Sequence, residues 1–548
     1  MDIKNNFKSS NTFYILILLG IAFLVMLPMF IEPYHALDDT KFHVANIEVM
    51  KEQILAGNII INPILAKIGY GLGYGTGLFY PPLAHLVMAL VAALFSNTLL
   101  AMKLVHFLVL FLSGVTTYFL AYHLTKKKHI AFFSAIIYML FPYHLSDIYV
   151  RDAQAECFIF IFTPMILLGL CYLLENDKRK FYPLFIIGYV GAILSHFTLT
   201  IYLTILLICF LIPSRKKIFT KQFLIPFLIA SLCVMGLTLP FLINLIQNYM
   251  VGDYVVFNSN EMAKRIWKTA LIPFEYVNIF FFLQNDIKKN LSLIILILLS
   301  LTIIKRKQLT FFPYANNFLI FGIVAFILST KIFPWLVMPS FIKMIQFPWR
   351  LEIFVGITVS LFAPICLQNI SFRKLIFLIF LFILSSYIVI IPNLKGEVID
   401  INNIWYNGGM GWQKEYLPVK AKENIIYLKH KKNRIDITNG IGTVKLLDDM
   451  VPYLKFNLEC STICTLELPR IYYPGYTLKN ITTNNRLSLE MSDNGLIQAS
   501  GTSGIYILEY KGSNWFRASI IIFLVTLITP VLLYIKLLLK RVYQKILK

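Results

Sequence analysis

A polytopic α-helical membrane protein with a small β-sandwich-like domain toward its C-terminal end is the fold class this sequence predicts. Three observations predict it. Of 548 residues, 58% are apolar and only 14% are charged, whereas soluble domains run near half apolar and about a quarter charged. Apolar runs approaching the roughly 20 residues that cross a ~30 Å hydrocarbon core recur along the chain. Between 393 and 515 the pattern changes to short alternating stretches, YLKFNLEC, NRLSLEMS and GIYILEYKG, separated by Asn, Gly and Asp turns. That is strand periodicity.

The formal charge is +22, but the Lys and Arg residues stand in short clusters between apolar runs and line no face shared with stacking aromatics. Nucleic-acid binding is therefore excluded as a reading, and the clusters orient the spans by the positive-inside rule. The first span, about 12–31, follows Lys4 and Lys8, so the N-terminus is expected in the cytoplasm. No small-residue cleavage site follows the run, so a retained anchor is expected rather than a signal peptide. Residues 103–125 run in to Lys126–Lys128, 130–143 out, and 157–174 in to ENDKRK. The block 182–213 ends at SRKK and must be a hairpin turning near Ser195 and His196. Residues 222–245 go out, 290–304 return to Lys305–Lys307, 311–329 go out, 351–368 come in and 375–392 go out. A last span, about 517–538, ends in a basic cytoplasmic tail. This gives about twelve spans with both termini inside.

The run 83–96 breaks that alternation and is short for a crossing, so it is expected as an interfacial or re-entrant helix. The expected domains are 1–392 (membrane body, including a first external loop 32–82), 393–515 (extracytoplasmic β-domain) and 516–548 (last span and tail). Five of the seven cysteines lie in or beside apolar runs and read as core residues. Cys460 and Cys464 could pair across a tight hairpin on the oxidising side.

The chemistry-bearing residues gather in the outward loops. The first loop carries Asp38, Asp39, His35 and His43, and the second carries Asp147, Arg151, Asp152 and Glu156. His196 stands at the hairpin tip, and a fourth loop carries Gln346, Trp349, Arg350 and Glu352. Ionisable groups at membrane depth are costly and are functional candidates. Carboxylates meeting cations from separate loops suggest general-base chemistry on a phosphate-bearing substrate. Blander readings stand beside this one. Adjacent aspartates can cap a helix; Asp147 and Arg151 stand four apart, as do Asp152 and Glu156, so one helical turn could carry a structural ion pair; and His196 can be a buried hydrogen-bonded group. The Gly/Tyr run 69–80 lacks the Lys-Ser/Thr of a nucleotide loop and reads as a tight turn leading into a helix.

The motifs DDTKFH (38–43), GYGTGLFYPPL (73–83), FPYHLSDIYVRDAQAE (141–156), LSH (194–196), IQFPWR (345–350), EYLP (415–418) and YYPGY (472–476) resemble a group of bacterial integral membrane proteins. These carry the label 6-pyruvoyl-tetrahydropterin synthase-related and look like members of the GT-C glycosyltransferase superfamily. The label brings no pterin chemistry, since the zinc-ligand histidine set of a soluble pterin synthase is missing from the sequence.

The resemblance implies an inverting transferase of the bacterial cytoplasmic membrane. It would move sugar from a polyprenyl-phosphate-linked donor to a glycan, lipid or protein acceptor outside. It places Asp39, with Asp38 adjacent, as catalytic base. His43, Arg151, Glu156, His196 and Arg350 become substrate-binding or orienting residues. Asp152 departs from the pattern, where a small residue is expected. No cofactor is required, although clustered carboxylates could take Mg²⁺ or Mn²⁺. Two rivals are kept: a lipid-linked-glycan transporter or flippase, and a non-catalytic membrane scaffold. A transporter predicts charges buried in spans and broken helices in internal repeats. The apolar runs carry few charges and the two halves show no repeat.

Overall fold

The computed structural model describes residues 10–529 except 59, 258–265, 267, 271, 273–311, 340–344, 365–371, 403, 405–408, 412–413 and 432. The expected span 290–304, its basic exit at Lys305–Lys307, Cys366 and the end of the last expected span lie outside the described residues. The chain divides into two compact units. The first comprises Met1–Ile47, Pro81–Leu228 and Asn258–Asp400; the second comprises Glu48–Tyr80, Ile229–Phe257 and Ile401–Lys548.

The first unit is helical. α1 (Asn11–Ile31) is started by the Ser10 side chain, which accepts from the Phe13 amide at 3.3 Å. At 1.5 Å per residue its 21 residues reach about 31 Å, one hydrocarbon thickness. The first loop is less irregular than expected. It contains α2 (Thr40–Leu55), a helix of 16 residues that continues into the second unit. α3 (Leu83–Phe95) has 13 residues, about 20 Å, too short to cross. Ser96 then takes a left-handed turn and the Asn97 side chain caps α4 (Thr98–Thr125).

α5 (Lys128–Met139) and the following segment Pro142–Arg151 form a pair bent by 41°. Next come α6 (Gln154–Leu174), α7 (Lys178–Ser195) and α8 (Phe197–Leu211). The expected hairpin at His196 is there. The Tyr189 and Thr204 hydroxyls, 15 residues apart, meet at 2.9 Å, whereas an unbroken helix would hold them about 22 Å apart. A Cβ at Gly188 or Gly191 would strike Ile166 and Phe162, so these two small residues let α7 lie close against α6. α9 (Lys221–Val251) begins in this unit and ends in the other; α10 (Ala315–Ser329), α11 (Glu352–Phe362) and α12 (Phe372–Ile390) complete the first unit.

Among the described residues five helices are long and apolar enough to cross a membrane, or six if the bent pair is one span. The five are α1, α4, α6, α8 with its extension to Ile218, and α9. Shorter apolar helices include α3, α10 and α13 (Asn514–Thr529).

The second unit carries the strands, in two antiparallel sheets. One has the order β1 (Asp436–Asn439), β4 (Cys464–Ile471), β8 (Leu496–Gly501), β7 (Glu490–Met491). The other runs β2 (Gly442–Met450), β3 (Tyr453–Cys460), β9 (Gly504–Tyr510), β5 (Tyr476–Asn480), β6 (Arg486–Leu487). Alternation is clean on β3, where Leu454, Phe456 and Leu458 are buried while their neighbours face outward. Leu466 and Leu468 of β4, with Tyr506 and Leu508 of β9, are buried in the same way.

The disulfide between Cys460 and Cys464 is formed. It does not close a hairpin within one sheet: β3 and β4 belong to different sheets, so the bond staples the corner between them.

The tight turn 69–75 uses Gly69, Gly71 and Gly73 at φ 74°, 81° and 85°, backbone that residues with a Cβ rarely adopt. It packs through aromatic residues of two other motifs. Tyr74 Oη accepts from the Tyr416 amide at 3.0 Å, Phe79 stacks on Tyr416, and Tyr473 donates to the Tyr416 carbonyl at 2.9 Å. The GYGTGLFYPPL, EYLP and YYPGY motifs therefore share one aromatic packing core in the second unit.

Candidate active site

Every residue singled out in the sequence as a site candidate falls in the first unit. The segment between α1 and α2 is held by backbone pairing on two sides. Ala36 N donates to Glu397 O at 2.7 Å and Ile399 N to Tyr34 O at 2.9 Å. On the other side Asp39 N donates to Arg151 O at 3.0 Å. The His43 amide then donates to Asp39 O at 3.1 Å, opening α2. The tandem aspartates thus sit at a helix start, as the capping reading allowed, and are anchored directly to the second loop.

That second loop is not an ordinary helical turn. Residues Asp147–Arg151 form a π-helical turn ended by Asp152 at φ 55°. Such widened turns recur at functional sites. The widening decides the pairing. Arg151 Nη1 donates to Asp147 Oδ1 at 2.6 Å, as the four-residue spacing predicts. Asp152, four residues before Glu156, is a carboxylate too and cannot serve as its ion-pair partner. Glu156 instead receives both Arg151 nitrogens, at 2.7 and 2.9 Å, a bidentate match suited to guanidinium. Tyr143 donates to Glu156 Oε2 at 2.8 Å.

Arg350 arrives from the QFPWR segment, within a 3₁₀ turn Pro348–Leu351. Its Nε lies 2.8 Å from Glu156 Oε1, a close ion pair whose N–H is not aligned for a hydrogen bond. Its Nη1 donates to Ile345 O at 3.0 Å, and the guanidinium covers the Phe347 ring at 4.7 Å. His196 caps α8 through Nδ1, which accepts from Leu199 N, and turns Nε2 to within 4.0 Å of Glu156 Oε1. Glu156 is therefore where the second loop, the hairpin tip and the fourth loop converge. Asp147 and Glu156 balance Arg151 and Arg350. Asp147 Oδ2 is buried without a hydrogen bond.

Asp39 behaves differently from these paired carboxylates. Its surface is open to solvent, although many protein atoms crowd around it. That crowding pushes its carboxyl up to about 6, against the opposing pull of Arg151 and Arg350. Among the described residues its carboxylate makes no hydrogen bond.

His43 points away from this group. It is 2% exposed, and its Nδ1 meets His85 Nε2 at 2.7 Å. Burial holds its imidazole down at about 4, so at neutral pH the ring is neutral, with one nitrogen a donor and the other an acceptor. Asp152, also buried, accepts from Tyr34 Oη at 3.1 Å and pairs with His106 Nε2 at 2.9 Å. Sequence reasoning did not select Tyr34, His85 and His106 of this group, nor Tyr143 of the Glu156 cluster. The signal for the two histidines was present, since each is an ionisable residue inside an apolar run.

Two sequence expectations change here. The spans do carry buried charge, because Glu156 lies in the first turn of α6 at 2% exposure. Arg151, 4% exposed, directs its contacts at Tyr143, Asp147 and Glu156. It holds the cluster together, and Arg350 is the more accessible guanidinium. As for metals, among the described residues no three His, Cys, Asp or Glu side chains group closely enough to hold one.

Three kinds of comparison with known proteins find matches. A family model described as 6-pyruvoyl-tetrahydropterin synthase related domain, membrane protein, matches residues 78–394. Arg151, Glu156, His196 and Arg350 fall inside that stretch, while Asp38, Asp39 and His43 precede it. A protein of Lactococcus lactis subsp. cremoris (strain MG1363), described only as uncharacterized, is 24% identical over 344 residues, 60% of this chain and 55% of that protein. The chain thus spans about half the length of the curated relative it matches. Among solved structures, ArnT from Cupriavidus metallidurans bound to undecaprenyl phosphate matches with a TM-score of 0.42 and 15% identity. The match covers 67% of this chain and 62% of ArnT.

Proposed function

We propose, for a chain that belongs to the 6-pyruvoyl-tetrahydropterin synthase related family of membrane proteins, the work of a membrane glycosyltransferase. It moves a sugar from a polyprenyl-phosphate-linked donor to an extracytoplasmic acceptor. One observation carries this reading: a solvent-reaching carboxylate, Asp39, raised to about 6 beside a cluster containing two guanidinium groups.

The chemistry follows from those charges. Asp39, ionised, takes the proton of an acceptor hydroxyl as its oxygen attacks the anomeric carbon. The sugar–phosphate C–O bond breaks, and the lipid phosphate leaves with the electron pair as a stable anion that needs no acid. A base whose pKa lies near the working pH contributes about 10²–10⁴-fold. Arg350 faces the departing phosphate as a fixed cation. Arg151, Glu156, Asp147 and Tyr143 hold that cation and the first loop in place, His196 closes the cluster from the hairpin side, and Asp38 adjoins the base. The ligands are the donor lipid and an acceptor glycan, lipid or protein. A divalent ion is not needed by this scheme.

The transporter reading has one observation in its favour: a broken helix pair bent by 41° that ends at buried Asp147 and Arg151. Purified protein given a radiolabelled polyprenyl-phosphate sugar in vesicles separates the two. Label passing to a water-soluble or second lipid acceptor supports transfer. Label that only changes leaflet supports transport and removes the enzyme proposal.

A further inference from the structure

We infer that a second lipid-binding site, specific for a phosphate-bearing anionic phospholipid, lies at the far end of α8. The site described above touches α8 at its first residue, through His196. The 15-residue helix then carries the chain about 22 Å away. There, residues 212–217 and 314–320 enclose a cavity of about 700 Å³. Both segments belong to the first unit.

The lining has two characters. Arg215, Lys216 and Lys217 form its cationic rim, and Ile212, Leu319 and Ile320 its apolar wall. Ile212 is 52% exposed and Leu319 45% exposed. Apolar side chains at the end of membrane helices beside three cations match a headgroup phosphate with acyl chains beneath it.

The cavity is built rather than incidental. Asn317 Nδ2 donates to Phe210 O at 2.6 Å and to Ser214 Oγ at 2.8 Å, tying the end of α8 to α10. Lys217 donates to Leu174 O at 3.2 Å and lies 6.0 Å from the Tyr314 ring, while Tyr314 reaches Glu175 at 3.5 Å. Those contacts fix one wall. Arg215 and Lys216 are exposed and, among the described residues, form no ion pair. A cluster that only orients the spans needs charge but no concavity. The occupant is therefore a diacyl lipid such as phosphatidylglycerol, and the inference does not depend on the transferase reading.

The test uses the full chain, purified in mild detergent and titrated with phosphatidylglycerol or phosphatidylcholine, with bound lipid counted by native mass spectrometry. The native protein should prefer phosphatidylglycerol. The double variant Arg215→Gln/Lys216→Gln should weaken it by about 5-fold per cation, roughly 25-fold together. Lys178→Gln/Arg179→Gln removes the same charge outside the cavity and should change it little. Leu319→Gln should weaken the long-chain lipid several-fold while sparing dihexanoyl phosphatidylglycerol, so the wall is tested even if the charge variant fails to fold. Equal retention of both lipids by the native protein, or equal loss in the two charge variants, overturns the proposal. So does displacement of phosphatidylglycerol by inorganic phosphate at matching concentration, which would make this a free-phosphate site.

Discussion

Two buried ionic clusters, one in each unit, use the same kinds of residue to opposite ends. In the second unit Lys431 is wholly buried and spends its three donors on Tyr427 Oη at 3.1 Å, Asp436 Oδ2 at 2.6 Å and Glu467 Oε1 at 2.8 Å. Glu467 is closed in turn by Tyr427 at 2.7 Å and Asn494 at 3.0 Å. Among the described residues, no buried polar atom of this cluster lacks a hydrogen bond. In the first unit the cluster around Glu156 stays incomplete: Asp147 Oδ2 has no hydrogen bond, Arg350 Nε is misaligned, and Asp39 is crowded but open to solvent. A closed network serves the fold, since breaking it strands a buried charge. A network with spare capacity beside an accessible carboxylate is arranged for something that arrives from outside.

The largest expected effect tests that contrast most sharply. Asp39→Asn should cut sugar transfer by about 10²–10⁴-fold without harming the fold. The sign of its stability effect is also set. Folded Asp39 holds its proton more tightly than the unfolded chain does, so stability falls as pH rises from 3.8 to about 6 and the penalty is complete above that. The melting temperature of Asp39→Asn at pH 7.5 should therefore equal or exceed that of the native protein. Full transfer activity in this variant would remove Asp39 as base.

Lys431→Met should do the reverse. Leaving buried Glu467 without its cation, while Asp436 keeps Arg434 at 2.7 Å, should cost about 3–5 kcal/mol of stability, measured by denaturant unfolding, while the folded fraction keeps its transfer rate. If it lost transfer and kept stability, the assignment of the two clusters would be inverted.

The same contrast separates what could be read from the residues from what could not. The apolar runs announce α1, α6 and α9 because burial in lipid demands an unbroken apolar stretch. The hairpin at His196 followed from charge bookkeeping at SRKK. The period-two stretches announce β3 and β9. The partner of Glu156 was not legible, because the residue four before it, Asp152, is another carboxylate, and Arg151 stands five before it, a spacing at which side chains on a regular helix do not meet. Nor could sequence show that EYLP and YYPGY pack with the 69–75 turn, since stacking between distant tyrosines leaves no periodic signal. His85 and His106 were legible in principle, as ionisable residues within apolar runs, but their partners His43 and Asp152 come from elsewhere in the chain.

A smaller effect is expected at Arg350. It holds Glu156 through one misaligned contact, and Arg151 meets that carboxylate with two. Arg350→Gln should therefore lower transfer by about 10²-fold, through loss of a fixed cation at the leaving phosphate, and shift the melting temperature little. A large fall in stability with unchanged transfer would class it with Lys431.

The gentlest perturbation is pH, and it acts on Asp39 without changing a residue. A base must be ionised to accept a proton, so kcat/KM should rise with pH through about 6 and flatten above it. Below that value the carboxyl is protonated and transfer should fall about tenfold per pH unit. Arg151 and Arg350 pull the value down while burial pushes it up, so removing a cation should move the midpoint upward. The Arg350→Gln profile should be displaced to higher pH relative to the native one, and a profile that stays in place would show that Arg350 does not share the field of Asp39. The closed cluster at Lys431 predicts no such shift, so Lys431→Met should leave the midpoint where it was.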